Sequence, residues 1–315
     1  MPDAPNRWAN PRRLATATLY AVIGLTAVAC NLTATPATRP GVIAAVGAEN
    51  QYADVLAQIG GKYVQVSSVL NNPSTDPHTF ESSPSVAEEV SSAQMIVQNG
   101  VGYDSFMNKV ESASPNSARK VIVVQQLLGL PDSTANPHLW YDPKTMLVVA
   151  TAMANALAAL QPTHSAYFRA NLRRFDSSLT PWLDAIAAFK AQYAGVAAAT
   201  TEPVADYLLQ AMGIDVLTAW RLQADIMNGV DPAPQDIALE QGLLDDHKVK
   251  VFLYNEQVGD ALTNSFRGEA HRDGIPVVGV YETMPTPGYD YQSWMVAEVR
   301  SILQAVANGK STEHL

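Results

Sequence analysis

The sequence predicts an α/β protein of two (β/α) lobes with mainly parallel sheets, joined by one long rigid helix. Short apolar runs alternate with helical stretches over residues 42–142, and the same alternation returns over residues 194–315. Strands separated by helices of this length are typical of parallel βαβ units. Residues 143–193, between these regions, are almost wholly helical in pattern, which predicts a connector rather than a third lobe.

The N-terminal lobe, residues 42–142, contains four apolar runs that are each short enough to be a strand. They are VIAAVGA (42–48), YVQVSSVL (63–70), MIVQNG (95–100) and KVIVVQQL (120–127). Helices are predicted at QYADVLAQIGG (51–61) and PSVAEEVSSA (84–93). The second begins with a proline, which is favoured in the first turn because no intrahelical N–H bond is lost there.

The connector, residues 143–193, is predicted to contain two helices interrupted at QPTHSA (161–166). The second helix would run for about 28 residues, and at about 1.5 Å per residue it would be about 40 Å long, enough to span both lobes. Pro181 is expected to kink it. A rigid connector predicts that the lobes open and close less than lobes joined by flexible strands.

The C-terminal lobe, residues 194–315, repeats the pattern. The predicted strands are VAAAT (196–200), GIDVLTAW (213–220), VKVFLYN (249–255) and IPVVGVYE (275–282). The predicted helices are PVADYLLQAM (203–212), APQDIALEQGLLDD (233–246), GDALTNSFRGEAHRD (259–273) and QSWMVAEVRSILQAVAN (292–308).

Residues 1–29 are predicted to be a signal peptide rather than part of the fold. Three arginines precede an apolar stretch, LATATLYAVIGLTAVA, that is too short for a comfortable membrane span. It ends at Cys30, the only cysteine of the chain. Small residues before a cysteine are typical of a lipobox, although Ala27 replaces the usual leucine. We expect a lipid on Cys30 and a tether over residues 30–41; the alternative is an uncleaved anchor with an idle cysteine.

Four polar side chains follow predicted strands, two in each lobe. His78 and His138 each follow a proline, Glu202 comes just before one, and Glu282 ends the last predicted strand. Ligands of open α/β sheets bind beyond the carboxyl ends of the strands, so we expect these four side chains to converge. The other four histidines lack this context and are interpreted as surface or structural residues.

Two imidazoles and two carboxylates suit a borderline-to-hard divalent cation such as Mn²⁺ or Zn²⁺. A carboxylate binds through one or two oxygens, so the coordination number can exceed four. The sequence therefore predicts a single metal site between the lobes.

Five motifs carry a resemblance to a known family. They are DPHTFESSPS (76–85), NGVGYDSFMNKV (99–110), NPHLWYDP (136–143), TEPVADYLLQAMG (201–213) and PVVGVYETMPTPGYDYQSWM (276–295). In this order and spacing the chain resembles the metal-specific solute-binding lipoproteins of bacterial ABC importers, the zinc/manganese group, over about residues 42–308. The resemblance implies a metal held by His78, His138, Glu202 and Glu282.

The chain departs from the family pattern in three ways. The fourth ligand is usually aspartate, so Glu282 needs a shifted loop, and Asp290 is a substitute candidate. Asn136 stands where aspartate is common, which changes the hydrogen bonding around His138. The His-rich loop of many zinc members is missing. Glutamate at position 202 is typical of manganese or iron members, so we expect Mn²⁺ in preference to Zn²⁺, with Fe²⁺ also compatible.

The resemblance implies a monomeric receptor, exported and held on the membrane through Cys30, that passes its metal to an ABC permease. The resemblance implies no enzyme activity. The sequence contains no HExxH motif and no recognisable nucleophile–base pair, which a metal-dependent hydrolase would be expected to have. A metal-binding adhesin or storage protein of the same fold is the alternative. The net charge of −10 argues against a nucleic-acid partner, because neutralising phosphates requires a basic surface.

Overall fold

A computed structural model describes residues 41–72, 80–285 and 287–315 of the chain. The first sheet contains four parallel strands in the order β2-β1-β3-β4. The strands are β1 Ile43–Glu49, β2 Val64–Leu70, β3 Met95–Gln98 and β4 Lys120–Val123. Cys30, the signal peptide and His78 lie outside the described residues, so the predictions about them stay predictions.

The second sheet has the same strand order, β6-β5-β7-β8, and is also parallel. Its strands are β5 Ala197–Thr200, β6 Asp215–Val216, β7 Val251–Asn255 and β8 Val277–Val280. An isolated parallel bridge joins Val278 of β8 to Thr312. Two parallel sheets with helices between their strands confirm the predicted fold class.

The described part of the chain contains twelve α-helices. Those up to the connector are α1 Asn50–Gly60, α2 Pro84–Ser92, α3 Ser105–Ala113, α4 Val124–Leu127, α5 Thr145–Leu160, α6 Ser165–Ser178 and α7 Thr180–Tyr193. Those of the second lobe are α8 Asp206–Met212, α9 Trp220–Met227, α10 Pro234–Asp245, α11 Ala261–Arg272 and α12 Tyr291–Asn308. No helix of the described residues is long and apolar enough to cross a bilayer.

Several predicted strands are shorter than expected, and the causes are visible in two of them. The strand predicted over 120–127 ends at Val123, where the chain turns into the short helix α4. The strand predicted over 213–220 pairs only at two residues, because Gly213 is in the left-handed conformation and the Thr218 side chain accepts the N–H of Thr200. Helices α3, α4 and α9 were not predicted.

The connector differs from the prediction in one detail. The segment predicted as a single helix of about 28 residues is two 14-residue helices, α6 and α7, that meet at Leu179. Pro181 lies in the first turn of α7, where its missing N–H breaks the helical ladder. Leu179 keeps helical dihedral angles, so the interruption is local.

The larger of two buried apolar clusters joins both sheets to the connector, and the smaller lies within the second lobe. Trp140, Trp182 and Trp294 are fully buried in the larger cluster, and Tyr291 forms edge-to-face contacts with the last two. All described residues belong to one compact unit. Shared burial of large aromatic side chains makes independent movement of the lobes costly, which agrees with the rigid connection predicted from the sequence. The predicted lobe boundaries within residues 42–315 stay predictions.

Candidate metal centre

His138 is held by its neighbour Asn136. The imidazole is fully buried, and its Nδ1 lies 2.8 Å from the Asn136 Oδ1, which also accepts the His138 backbone N–H at 3.0 Å. The other end of the amide, Nδ2, donates to the Pro203 carbonyl at 2.8 Å, which fixes the amide orientation. An amide oxygen only accepts, so Nδ1 carries a proton, and Nε2 is the ring nitrogen that faces the rest of the site.

Glu282 follows β8 and places its carboxylate against His138. Its Oε2 lies 3.3 Å from His138 Nε2 and accepts the Tyr103 hydroxyl at 2.9 Å. Both side chains of the His–Glu pair are fully buried. A buried imidazole nitrogen and a carboxylate oxygen at this distance are held together by a proton or a metal ion between them.

Glu202 lies just beyond β5 and is joined to Glu282 through Asn255, the last residue of β7. The Asn255 Nδ2 donates to Glu282 Oε1 at 2.6 Å and lies 3.3 Å from both Glu202 carboxylate oxygens. Both glutamates are buried. Two buried carboxylates around one amide concentrate negative charge in a place where a divalent cation would compensate it.

The loop that carries Glu282 is fixed from both lobes. The Gln257 Oε1 accepts the backbone N–H of Glu282 at 2.7 Å from within the second lobe. From the first lobe, Gln51 donates to the Glu282 carbonyl at 3.2 Å, and Asn50 exchanges two hydrogen bonds with the backbone of Met284. The carboxylate is therefore preorganised rather than carried on a free loop.

Tyr103 reaches Glu282 from a strained turn after β3. Gly100, Val101 and Gly102 all have positive φ, and 55° is unusual for a β-branched residue such as Val101. The Gln125 side chain accepts the Val101 N–H at 2.6 Å and stabilises the turn. Burial, followed by the negative charge of Glu282, raises the pKa of Tyr103 well above its usual value. The phenol therefore stays a hydrogen-bond donor at neutral pH.

A second pair of buried acids, Glu49 and Asp104, lies beside Tyr103. Burial, aided by repulsion from Asp104, raises the pKa of Glu49 well above its usual value. Burial also raises the pKa of Asp104 to about 6. The backbone N–H groups of Asn99 and Gly100 donate to its carboxylate and partly oppose this rise. A side-chain hydrogen bond between the two acids favours the protonated form of Glu49 and the ionised form of Asp104. We therefore expect Glu49 to be neutral and not to act as a metal ligand.

Three of the four predicted metal ligands come together in the structure. His138, Glu202 and Glu282 all lie beyond the carboxyl ends of strands, while His78 lies outside the described residues. Asp290 is engaged elsewhere, because its carboxylate caps α12 by accepting the Ser293 N–H at 2.9 Å. Within the described ranges, no three His, Cys, Asp or Glu side chains have the spacing of a complete metal site. The ligand set stays a prediction.

Sequence reasoning missed the neutral residues of the site. Asn255, Gln257 and Tyr103 were not considered because only imidazoles and carboxylates were counted as candidates. Asn255 ends β7 at the sheet edge where the other site residues lie. The rule that selected Glu202 and Glu282 would have found it had amides been included.

Residues 46–305 match the protein family described as ZnuA, zinc-uptake complex component A, periplasmic. The chain belongs to this family. Among curated relatives of the ZnuA family, it is 23% identical over 172 residues to the manganese-binding lipoprotein MntA of Bacillus subtilis, covering 53% of this chain and 55% of MntA. It is 27% identical over 159 residues to the zinc-binding protein TroA of Treponema pallidum, covering 49% and 50%. The chain thus matches about half the length of these two relatives.

Solved structures show the same ZnuA-family fold. The periplasmic zinc-binding protein TroA of Treponema pallidum superposes with a TM-score of 0.69 at 20% identity, covering 86% of this chain and 100% of TroA. A manganese-bound periplasmic metal-binding protein of Candidatus Liberibacter asiaticus gives 0.67 at 18% identity, covering 83% and 98%. Both agree with the two-lobed architecture described above.

Asn136 offers a test of how much orientation of His138 matters. Asn136→Ala removes the acceptor for Nδ1 and the donor to Pro203, so we expect metal affinity to fall by about 10- to 100-fold. Asn136→Asp is the matched control, because it keeps the acceptor, and its affinity should fall less. Isothermal titration of both proteins with Mn²⁺ measures the difference. Wild-type affinity in Asn136→Ala would show that His138 does not depend on this bond.

Proposed function

We propose that the chain is an extracytoplasmic solute-binding protein that captures a divalent transition metal ion and delivers it to an ABC importer. The observation that carries the proposal is the 3.3 Å approach of the His138 Nε2 to the Glu282 carboxylate, with Glu202 held nearby by Asn255. A divalent cation at this place would be coordinated by the neutral imidazole and the ionised carboxylates. His78 completes the proposed ligand set.

Mn²⁺ is the proposed cargo in preference to Zn²⁺, with Fe²⁺ as a further candidate. The proposed ligands are the imidazoles of His78 and His138 and the carboxylates of Glu202 and Glu282. Carboxylate oxygens suit Mn²⁺ better than Zn²⁺. The names of the relatives do not decide the metal: MntA is manganese-binding, TroA zinc-binding and YfeA of Yersinia pestis iron-binding. Zn²⁺ binds more tightly at nearly any such site, so affinity alone is a poor guide to the cargo.

We propose that the protein is exported, anchored to the membrane through a lipid on Cys30 and paired with a membrane permease. The apolar stretch before Cys30 and the lipoprotein names of relatives such as MntA support this placement. Burial of His138, Glu202 and Glu282 supports capture rather than catalysis, because a hydrolytic metal site keeps a position open to water. We therefore propose that the chain is not an enzyme.

The test is metal uptake by the native host together with the metal content of the protein isolated from it. We expect one equivalent of Mn, and a deletion strain should take up less ⁵⁴Mn²⁺ until the wild-type gene is restored. His138→Ala should not restore uptake, whereas His271→Ala, which changes a histidine outside the site, should. One equivalent of Zn would agree with the proposal that the protein is a solute-binding receptor but would overturn the proposal that its cargo is Mn²⁺.

A storage protein or adhesin of the same fold is the alternative. It would contain the same metal, but its deletion would leave initial uptake rates unchanged. Normal uptake in the deletion strain, with metal still bound to the isolated protein, would therefore favour the alternative over the importer.

A further inference from the structure

The exposed side of helix α6 carries an unusual concentration of positive charge for an acidic protein. Arg169, Arg173 and Arg174 are all exposed, while Phe168 and Phe175 on the opposite side are buried. The helix contains three arginines and one aspartate, a net charge of +2, in a chain whose net charge is −10. Within the described residues, none of the three arginines forms an ion pair.

An aromatic cluster extends this charged surface. Tyr63 stacks on His164 with ring centroids 3.7 Å apart and meets Tyr167 of α6 edge to face at 5.0 Å. Lys62 is exposed and lies over the Tyr63 ring at 5.1 Å. We call Lys62, Tyr63, Tyr167 and the three arginines of α6 the basic face. Partly exposed tyrosines beside cations are typical of surfaces that rest at a membrane–water boundary.

The basic face lies where the described chain emerges from the predicted tether. The Gln161 Nε2, four residues before α6, donates to the Gly41 carbonyl at 2.9 Å. Residues 31–41 reach at most about 36 Å when fully extended. A lipid on Cys30 would therefore keep the basic face within reach of the bilayer.

The basic face and the candidate metal centre lie at opposite ends of α1. Asn50 and Gln51 in its first turn bond the loop that carries Glu282, whereas the Ile59 carbonyl near its last turn accepts the Asn171 Nδ2 of α6 at 2.9 Å. Contact of the basic face with a membrane would therefore leave the metal centre directed away from the lipid.

We propose that the basic face rests on the anionic phospholipid headgroups of the membrane to which the chain is tethered. This inference rests on the lipid anchor of the proposed function. Each arginine near an anionic surface favours contact by about fivefold at physiological salt. Three arginines would shift the balance between the docked and the free orientation by roughly 100-fold. The attraction would be screened at high salt.

The experiment uses the full lipoprotein reconstituted into vesicles, labelled on an Ala166→Cys variant, whose exposed side chain lies on α6. Energy transfer from this label to a headgroup dye is measured in phosphatidylcholine vesicles and in vesicles containing phosphatidylglycerol. We expect higher transfer with phosphatidylglycerol, lost at 0.5 M salt (roughly a 4 Å screening length). The variant Arg169→Gln, Arg173→Gln, Arg174→Gln should lose the increase.

A matched control removes the same charge from exposed sites elsewhere, namely Arg221→Gln, Lys248→Gln and Lys250→Gln, and should keep the increase. Equal transfer in both kinds of vesicle would overturn the docking proposal and leave the anchor intact. Failure of the protein to associate with any vesicle would overturn the anchor, and the docking proposal with it. Metal binding, measured in parallel, should be the same in all variants.

Discussion

Replacing His138 by alanine should lower the affinity for Mn²⁺ and Zn²⁺ by more than about 100-fold. Structural zinc sites in zinc-finger peptides gain about 10–16 kcal/mol from four ligands, or about 3 kcal/mol from each, which corresponds to more than about 100-fold in affinity. The change also leaves Glu282 without the imidazole that lies 3.3 Å from its carboxylate. Among the described residues, Asn136 contacts His138 and Tyr103 contacts Glu282, and neither side chain supplies an imidazole nitrogen in place of Nε2.

The measurement is competition against a chromogenic chelator at pH 7.5, on protein first stripped of metal. His271→Ala is the matched control, because His271 is exposed on α11 and its Nε2 lies 3.2 Å from the Glu313 carboxylate. It should bind as the wild type does. Affinity within threefold of wild type in His138→Ala would remove His138 from the ligand set.

Metal-free protein should lose stability as the pH rises from about 5 to 8. Burial raises the pKa of both Glu240 and Glu298 to about 8 from an ordinary value of 4.5. In that interval the unfolded chain has lost these protons and the folded chain still holds them, so the free energy of unfolding falls as the pH rises. Each residue costs about 3 kcal/mol at pH 7 relative to pH 4. Asp104 and Asp206, whose pKa values burial raises to about 6, act in the same direction.

Glutamine at these positions mimics the protonated acid and cannot ionise. Glu240→Gln keeps an acceptor for the Thr218 hydroxyl, and Glu298→Gln keeps one for the Trp294 indole N–H. Each variant should therefore be more stable than wild type at pH 8 and show a shallower pH dependence. Urea unfolding in the presence of a chelator, from pH 5 to 8, measures both.

Glu88→Gln is the control for this series, because Glu88 is exposed on α2, and it should follow the wild-type curve. A wild-type stability that is flat or rises between pH 5 and 8 would mean that Glu240 and Glu298 ionise in the folded state.

The fold was predictable from the periodicity of the apolar residues. The candidate imidazole and carboxylates were predictable because ligands of open α/β sheets bind beyond the carboxyl ends of the strands. Alternating apolar runs and helices predicted the two parallel sheets, and the carboxyl ends of the strands pointed to His138, Glu202 and Glu282. The length of β6 was overestimated, because GIDVLTAW is apolar enough to be a full strand. In the structure Gly213 ends helix α8, and the Thr218 side chain accepts a hydrogen bond from the Thr200 N–H.

The bonds that fix the site were not predictable from the sequence. Asn50 and Met284 are 234 positions apart, and nothing in the sequence around either residue indicates that the two form hydrogen bonds. Asn136 was noticed only as a departure from a pattern, yet it orients His138 and bonds the backbone beside Glu202 at the same time. An asparagine or glutamine in the sequence does not by itself indicate a binding site, because its role depends on which groups the tertiary structure places beside it.

The bridge between Val278 and Thr312 has a consequence for handling this protein. β8 lies at the edge of its sheet, and the Thr312 backbone covers that edge through bonds to Gly279 and Val277 at 3.0 and 2.9 Å. A side chain at position 279 would collide with the Glu313 carbonyl, so glycine is what allows this close cover. Trimming residues 311–315 would uncover a row of backbone donors and acceptors, and bare strand edges on separate molecules pair with one another into aggregates.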